Sequence, residues 1–192
     1  MSTPSHRTAA PPHVPAGASA DKDGIVVGSG PVTVDAYIDF LCPYCKMFEQ
    51  ASRPTLHKLV EDGVISLVYH PMGFLDGLST DRYSSRASAS SGCASDGGKF
   101  VAYASALFTN QPPEGGPGLS GDDLVEIGAL VGLTDPDFGA CVRNGTYLDW
   151  TAYVTDRAIG RGVSGTPTVL VGGTAVPASP QTIVAAVASA VR

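Results

Sequence analysis

Apolar and polar residues alternate along the chain from Val32 to Phe40. Such alternation is typical of a strand with one face turned to a core. One face carries Val32, Val34, Ala36 and Ile38, and the other carries Thr33, Asp35, Tyr37 and Asp39. A helical stripe of apolar residues follows, ending at Asp62-Gly63, and Val64–His70 has the pattern of a second strand. The pattern therefore predicts a β-α-β unit.

The middle of the chain shows successive helical patterns instead. Five of them cover residues 79–95, 100–109, 122–131, 136–143 and 147–159. Strand signals return at Thr168–Val171 and Thr174–Val176, separated by two glycines that are typical of a tight hairpin. A last amphipathic helix covers Pro180–Val191. We predict an α/β domain of order β-α-β … β-β-α over residues 23–76 and 160–192, with a helical insertion over 77–159.

Residues 1–22 differ in composition from the rest of the chain. They are rich in Pro, Ala, Ser and Thr and have almost no large apolar side chains, so they bury too little surface to offset the entropy of ordering. They also lack the apolar core of a signal peptide. We interpret them as a disordered tether that once followed a signal or membrane anchor; a simple flexible terminus is the alternative.

The charge balance excludes one class of partner. The formal net charge is −6 and charged residues make up 16% of the chain, whereas a nucleic-acid partner calls for a basic patch. No stretch approaches the ~18 consecutive apolar residues of a membrane span. We therefore expect a globular domain that binds no nucleic acid.

The candidate chemistry lies in Cys42-Pro43-Tyr44-Cys45, where the first strand leads into the first helix. Unpaired N–H groups and the positive end of the helix dipole stabilise a thiolate at this place. A stabilised thiolate is both a nucleophile and a leaving group in disulfide exchange. The motif predicts a thiol–disulfide oxidoreductase in which Cys42, exposed ahead of the helix, is the attacking or attacked sulfur. Cys45, one turn later, is the interior resolving thiol.

A second motif, Gly165-Thr166-Pro167-Thr168, directly precedes the hairpin. A proline that enters a strand lacks a donor for the ladder, and such prolines are often cis. With the segment Asp39 to Cys45 and the helical insertion, this motif makes residues 25–192 resemble the thioredoxin superfamily, and within it the DsbA-type thiol–disulfide oxidoreductases. The resemblance implies a thioredoxin fold with a cis Pro167 beside the dithiol. It also implies that the Thr166 backbone pairs with an extended substrate segment.

The chain departs from that family in two places. The dipeptide Pro43-Tyr44 stands where the family's oxidases often have Pro-His, so we expect a less extreme oxidant than the strongest members. The family's buried acid, six residues before the first cysteine, is replaced by Ala36. Asp39 is a different acid near the dithiol, and two interpretations of it stay open: local electrostatics or proton transfer, and a cap at the end of the strand.

The other two cysteines, Cys93 and Cys141, fall in two helices of the insertion. We predict that they form a structural disulfide, as a remote pair does in an oxidising compartment. Two separate buried thiols are the alternative. His57 and His70 have no partner at metal-ligand spacing, so we expect no metal site and no cofactor besides the dithiol.

These features predict an extracytoplasmic enzyme that donates the Cys42–Cys45 disulfide to folding secreted proteins. By family analogy, a quinone-linked membrane oxidase would reoxidise it. An isomerase or reductase of the same fold is the alternative, and Thr166 before the proline occurs in some isomerases of the superfamily. Metal binding by the two thiols lacks further ligands, and an inactive binding module is disfavoured by the intact motifs. We expect a monomer, anchored to a membrane through an N-terminal segment that is missing here.

Overall fold

A five-stranded mixed sheet forms the centre of the protein. The structure, a computed structural model, describes residues 9–192. The strands lie in the order β1-β3-β2-β4-β5, with β2 and β3 parallel and the other neighbours antiparallel. Their bounds are β1 Ile25–Val27, β2 Val32–Ile38, β3 Ile65–Pro71, β4 Thr168–Val171 and β5 Thr174–Val176.

The helices lie between and after these strands. Five of them, α2 to α6, follow β3 and precede β4, within the range predicted for the helical insertion. The bounds are α1 Pro43–Glu61, α2 Tyr83–Asp96, α3 Phe100–Thr109, α4 Gly121–Leu130, α5 Pro136–Asn144, α6 Leu148–Gly160 and α7 Pro180–Ala190, with a 3-10 turn at Asp76–Leu78. The predicted fold class, a thioredoxin fold of order β-α-β … β-β-α, is confirmed.

The central strand is buried more completely than its alternation predicts. Val34 and Ala36 are fully buried on the apolar face, and Tyr37, on the predicted polar face, is only 2% exposed. Tyr37 is covered because the His70 ring stacks on it and Arg161 lies against its hydroxyl. The strand also ends two residues early, at Ile38. The reason is a turn at Asp39, whose carboxylate accepts a hydrogen bond from Leu41 N at 2.9 Å.

The predicted N-terminal tether needs correction. Residues 1–8 of that segment lie outside the described residues, whereas residues 14–22 contact the domain. Ala16 N donates to Asp96 Oδ1 at 2.8 Å on α2, and Trp150 Nε1 on α6 donates to the Lys22 carbonyl at 2.8 Å. Backbone groups of the segment thus find polar partners on the helices, which its composition does not reveal.

The second cysteine pair is a disulfide. Cys93 on α2 and Cys141 on α5 are bonded, with their Cα atoms 5.9 Å apart and a separation of 48 positions in the chain. This bond joins two helices of the insertion. Among residues 9–192, no helix is both long enough and apolar enough to cross a membrane.

Candidate active site

The dithiol lies at the start of α1. Cys42 is the residue before the helix, and Pro43 occupies the first turn, where its missing N–H costs no hydrogen bond. The Cys42 carbonyl accepts from Cys45 N at 3.1 Å and from Lys46 N at 3.2 Å, which begins the hydrogen-bond ladder of the helix. The first turn contains no acidic side chain. The positive end of the helix therefore faces Cys42 without a competing carboxylate from the first turn of the helix itself.

The register of the sheet brings the proline motif to the same place. Tyr37, near the end of β2, pairs with Thr168, at the start of antiparallel β4. The residues before Thr168 must therefore lie beside the turn that follows β2. The Thr166–Pro167 peptide bond is cis, and Cys42 Sγ donates to the Thr166 carbonyl at 3.3 Å. Two segments 124 positions apart thus meet at one sulfur.

Cys42 is less exposed than expected. We predicted a sulfur open to solvent, but Cys42 is only 3% exposed. The cause is tertiary: the Thr166 loop approaches from one side, and the Gln111 amide contacts the Cys42 carbonyl at 3.0 Å from another. Little of Cys42 is therefore open to a reaction partner in this conformation.

The surroundings of Cys42 nevertheless favour its thiolate. A hydrogen bond from the Cys45 thiol, together with contacts from Thr166 and from the backbone N–H groups of Cys45 and Tyr44, lowers the pKa of Cys42 to about 6, although burial acts in the opposite direction. A thiol with this pKa is largely ionised at neutral pH, which makes it a ready nucleophile and a good leaving group.

Cys45 has the opposite character. It is fully buried, and burial together with the hydrogen bond and charge of Cys42 raises the pKa of its thiol far above the usual range. Its sulfur accepts a hydrogen bond from Asp39 N at 3.5 Å. The two thiols are free in this structure. These opposite pKa shifts favour an ionised Cys42 and a protonated Cys45 at neutral pH, which is the arrangement that a dithiol needs to close or open a mixed disulfide.

Asp39 is fully buried beside the dithiol and is bonded to the helical insertion. Its Oδ1 accepts from Leu41 N and from Ser84 Oγ on α2, at 2.9 and 2.7 Å, and its Oδ2 accepts from Leu75 N at 2.8 Å. Burial raises the pKa of Asp39 to about 6 in spite of these bonds, and the charge of Cys42 contributes in the same direction. Asp39 thus caps the turn that precedes α1.

A shallow apolar groove of about 600 Å³ opens beside the dithiol. Tyr44 and Met47 project into the solvent from α1, at 69% and 62% exposure, and Pro167 lines the facing side of the groove. Exposed large apolar side chains next to a reactive sulfur are suited to bind an unfolded chain.

Some candidate residues lie elsewhere, and others were missed. Cys93 and Cys141 lie in the insertion, and His70 is buried, with ring nitrogens 2.6 Å from the Asp23 carbonyl and 2.8 Å from Asp35 Oδ1. Within residues 9–192, no group of three or more metal-ligating side chains converges. Sequence reasoning missed Gln111 and Ser84, since no local pattern marks a side chain that bonds to a distant turn.

Comparisons with known proteins show which families and structures this chain is similar to. A family described as Thioredoxin matches residues 21–188. The chain is 31% identical over 160 residues to the serine/threonine-protein kinase PknE of Mycobacterium tuberculosis, covering 77% of this chain and 28% of that protein. The chain therefore spans only about a quarter to a third of the length of the curated relatives it matches.

Solved structures give a closer match in length. Reduced DsbA of Mycobacterium tuberculosis is 32% identical, with a TM-score of 0.77 over 88% of this chain and 92% of that one. The disulfide bond oxidoreductase DsbG of the same organism has the same identity and TM-score, over 88% of both chains. MdbA of Actinomyces oris, a thiol-disulfide oxidoreductase, has a TM-score of 0.73 at 20% identity over 92% of both chains, a likeness in fold alone.

Proposed function

The chain belongs to the thioredoxin family and is a DsbA-like thiol–disulfide oxidoreductase, and on that premise we propose that it is a disulfide oxidase of the cell envelope. In this proposal it donates the Cys42–Cys45 disulfide to folding secreted proteins. The observation that carries the proposal is the position of Cys42 directly before α1, where the N–H groups of Tyr44 and Cys45 and the cis-proline loop favour its thiolate and lower its pKa to about 6. A stabilised thiolate stabilises the reduced enzyme, and a protein whose reduced form is stable gives up its disulfide readily.

The reaction follows from the asymmetry of the two thiols. A substrate thiolate attacks Cys42 Sγ in the oxidised enzyme, forming a mixed disulfide, and Cys45 leaves and takes up a proton. A second substrate thiolate then attacks the substrate sulfur of the mixed disulfide, and Cys42 leaves as a thiolate. The substrate loses two electrons, which the Cys42–Cys45 pair gains.

The cis-proline loop would position the substrate for this attack. The Thr166 carbonyl accepts from Cys42 Sγ when this thiol is protonated, and it would accept an N–H of an extended substrate when the Cys42 proton is gone. Substrate side chains would contact the apolar groove beside Tyr44 and Met47. Because this recognition uses backbone and apolar contacts, it suits reduced, unfolded chains of many sequences.

The disulfide of the insertion supports the proposed location. Stable structural disulfides such as Cys93–Cys141 are characteristic of oxidising compartments. We place the protein outside the cytoplasm, attached to the membrane through an N-terminal segment. A quinone-linked membrane oxidase, by family analogy, would restore the Cys42–Cys45 disulfide of a monomeric enzyme.

An isomerase or reductase is the second candidate, because Thr166 precedes the cis proline as in some isomerases of the superfamily. The reduction potential separates these functions. A value near or above about −180 mV supports an oxidase or isomerase, and a value near about −270 mV identifies a reductase.

Refolding assays then distinguish an oxidase from an isomerase. An oxidase speeds disulfide formation in a reduced, unfolded substrate, and an isomerase speeds the recovery of a substrate with scrambled disulfides. The Cys42→Ser variant is the control in both assays. Faster recovery of the scrambled substrate alone would contradict the proposed oxidase.

A further inference from the structure

A side chain from the helical insertion binds the backbone of the turn that carries Cys42. Gln111 Nε2 donates to the Phe40 carbonyl at 2.9 Å and to the Cys42 carbonyl at 3.0 Å. Gln111 lies 69 positions beyond Cys42, in the loop after α3. Because one amide nitrogen has two protons, both of its donors are used on this turn.

Gln111 is itself held in place by the end of α3. Its backbone N–H donates to the Phe108 carbonyl at 3.3 Å, and the Phe108 ring packs on the Phe40 ring with centroids 5.0 Å apart. The end of α3 therefore contacts Phe40 twice, through an aromatic pair and through the Gln111 amide. These contacts attach the turn before α1 to the end of α3.

These contacts bear on the thiolate. The Cys42 carbonyl that accepts from Gln111 also accepts from Cys45 N and Lys46 N at the start of α1. The orientation of this carbonyl determines where the Cys42 side chain lies relative to the N–H groups of Tyr44 and Cys45 that stabilise its charge. The amide also offsets the negative ends of two carbonyl dipoles close to the sulfur. Both effects favour the ionised form of Cys42.

We propose that Gln111 is a positioning residue that holds Cys42 against the N–H groups at the start of α1 and so maintains the reactivity of its sulfur. The proposal rests on the part that the proposed function assigns to Cys42, the attacked sulfur. It is independent of whether the enzyme acts as an oxidase, an isomerase or a reductase. It gives the helical insertion a direct contact with the reaction centre.

The Gln111→Met variant tests this proposal, since it keeps the length of the side chain and removes both donors. The thiolate absorbance of the reduced protein near 240 nm gives the titration midpoint of Cys42. We expect this midpoint to rise, and the rate of attack on a small disulfide at pH 6 to fall about fivefold, as the loss of two ordinary hydrogen bonds suggests. The rate at pH 9, where the thiol is ionised in both proteins, should change less.

A matched control lies next to Gln111 in the chain. Asn110 Nδ2 donates to the Ala106 carbonyl at 2.9 Å, so this hydrogen bond stays within the end of α3. Asn110→Ala therefore loosens the same loop, and we expect it to leave the Cys42 midpoint unchanged. An equal shift in Asn110→Ala would overturn the proposal, since loop order alone would explain it. A lower melting temperature in Gln111→Met with an unchanged midpoint would overturn it too.

A measurement on the unaltered protein covers the case in which Gln111→Met does not fold. The NMR resonances of the Gln111 side-chain amide should shift with the same midpoint as Cys42 titrates. Amide resonances that stay constant through this titration would contradict the proposal. These measurements report on the Cys42 thiol, whereas the refolding assays report on the proposed oxidase function. Either proposal can therefore be contradicted while the other is supported.

Discussion

The two cysteine pairs of this protein have opposite environments. Cys42 and Cys45 lie in one helical turn, with free thiols whose pKa values are moved in opposite directions. Cys93 and Cys141 are 48 positions apart in the chain and join two helices as a disulfide. The first pair is surrounded by groups that favour one charged sulfur. The second pair joins α2 and α5, two helices that also pack against each other. A reactive dithiol thus differs from a structural disulfide in the electrostatic surroundings of its sulfurs.

The largest expected effect comes from removing one reactive sulfur. Cys42→Ser should reduce the catalysed oxidation of a dithiol peptide to the background rate, because Cys45 alone cannot form the disulfide that the substrate thiolate attacks. In Cys45→Ser the Cys42 thiolate can still attack a disulfide-bonded peptide and release one of its sulfurs as a thiolate, and the resulting mixed disulfide should accumulate because no Cys45 thiol remains to resolve it; mass spectrometry would show this as an adduct of substrate mass. Substantial turnover by Cys42→Ser would contradict the assigned roles.

Removing the other pair should change stability instead of activity. Cys93→Ala combined with Cys141→Ala opens a loop of 48 positions, and the chain-entropy relation for such a loop gives a loss of about 4 kcal/mol in the free energy of unfolding. Urea unfolding measures this loss, and the oxidised wild-type protein is the reference. Because the pair lies outside the reaction centre, the Cys42 titration midpoint should be retained. A lost exchange activity in a folded double variant would show that the two pairs are not independent.

The pH dependence sharpens the comparison further. The pKa of Cys42 is lowered to about 6, whereas an unfolded cysteine titrates near about 8.5. The ionised sulfur therefore stabilises the reduced folded protein fully above about 8.5, and this contribution is lost as the pH falls through about 6. Unfolding of the protein with only the Cys42–Cys45 pair reduced, at a series of pH values up to about 8.5, measures this contribution, because unfolded Cys45 ionises above that value and then acts in the opposite direction. The oxidised protein, which has no free thiol at either pair, should lack this contribution.

Much of the fold could be predicted from local patterns, because periodicity reports which faces are buried. The predicted bounds of β4, β5 and α3 agree with the structure. The glycines of the β4–β5 hairpin, Gly172 and Gly173, have φ of 55° and 81°, a conformation that their lack of a side chain allows. The dithiol motif and the proline motif likewise indicated which segments meet, since the family's strand order places them side by side.

What the patterns missed depends on contacts between distant parts of the chain. The burial of Cys42 follows from the Thr166 loop and Gln111, which are 124 and 69 positions away. The attachment of residues 14–22 depends on polar groups of α2 and α6, such as Trp150 Nε1. Side chains that bond to a backbone turn show no periodicity, so only the folded arrangement reveals them.

A smaller effect is expected from the hydroxyl that faces both reactive sulfurs. Thr166 lowers the pKa of Cys42 and also of Cys45 through a side-chain contact. Thr166→Val keeps the branched shape and removes this donor, so the pKa of Cys42 should rise. Exchange at pH 6 should slow by about threefold, as expected for one weak hydrogen bond. Thr168→Val, at the start of β4, is the control. An equal decrease in the exchange rate of this variant would indicate a disturbed backbone instead of a lost hydrogen bond.

The smallest effect on the sulfur should come from Asp39. Its charge interaction with Cys42 is the weakest of the causes that act on the pKa of Asp39, so Asp39→Asn should lower the pKa of Cys42 only slightly. The raised pKa of Asp39, about 6, has its own consequence. The protonated acid favours the folded state, fully so below about 4, and this contribution is lost as the pH rises through about 6. Asp39→Asn should remove that part of the pH dependence of stability.

This variant also separates the two interpretations of Asp39. The introduced amide would keep an acceptor for Leu41 N and Ser84 Oγ but would present its own N–H groups to Leu75 N, so we expect a loss of about 1–3 kcal/mol in unfolding free energy. Asp62→Asn, at the far end of α1, is the matched charge control. If Asp39→Asn loses stability while the Cys42 midpoint and the exchange rate match those of the control, Asp39 acts only as a cap. If the Cys42 titration midpoint falls and thiol–disulfide exchange slows relative to the control, Asp39 takes part in the redox chemistry. The Cys93–Cys141 disulfide needs no such acid.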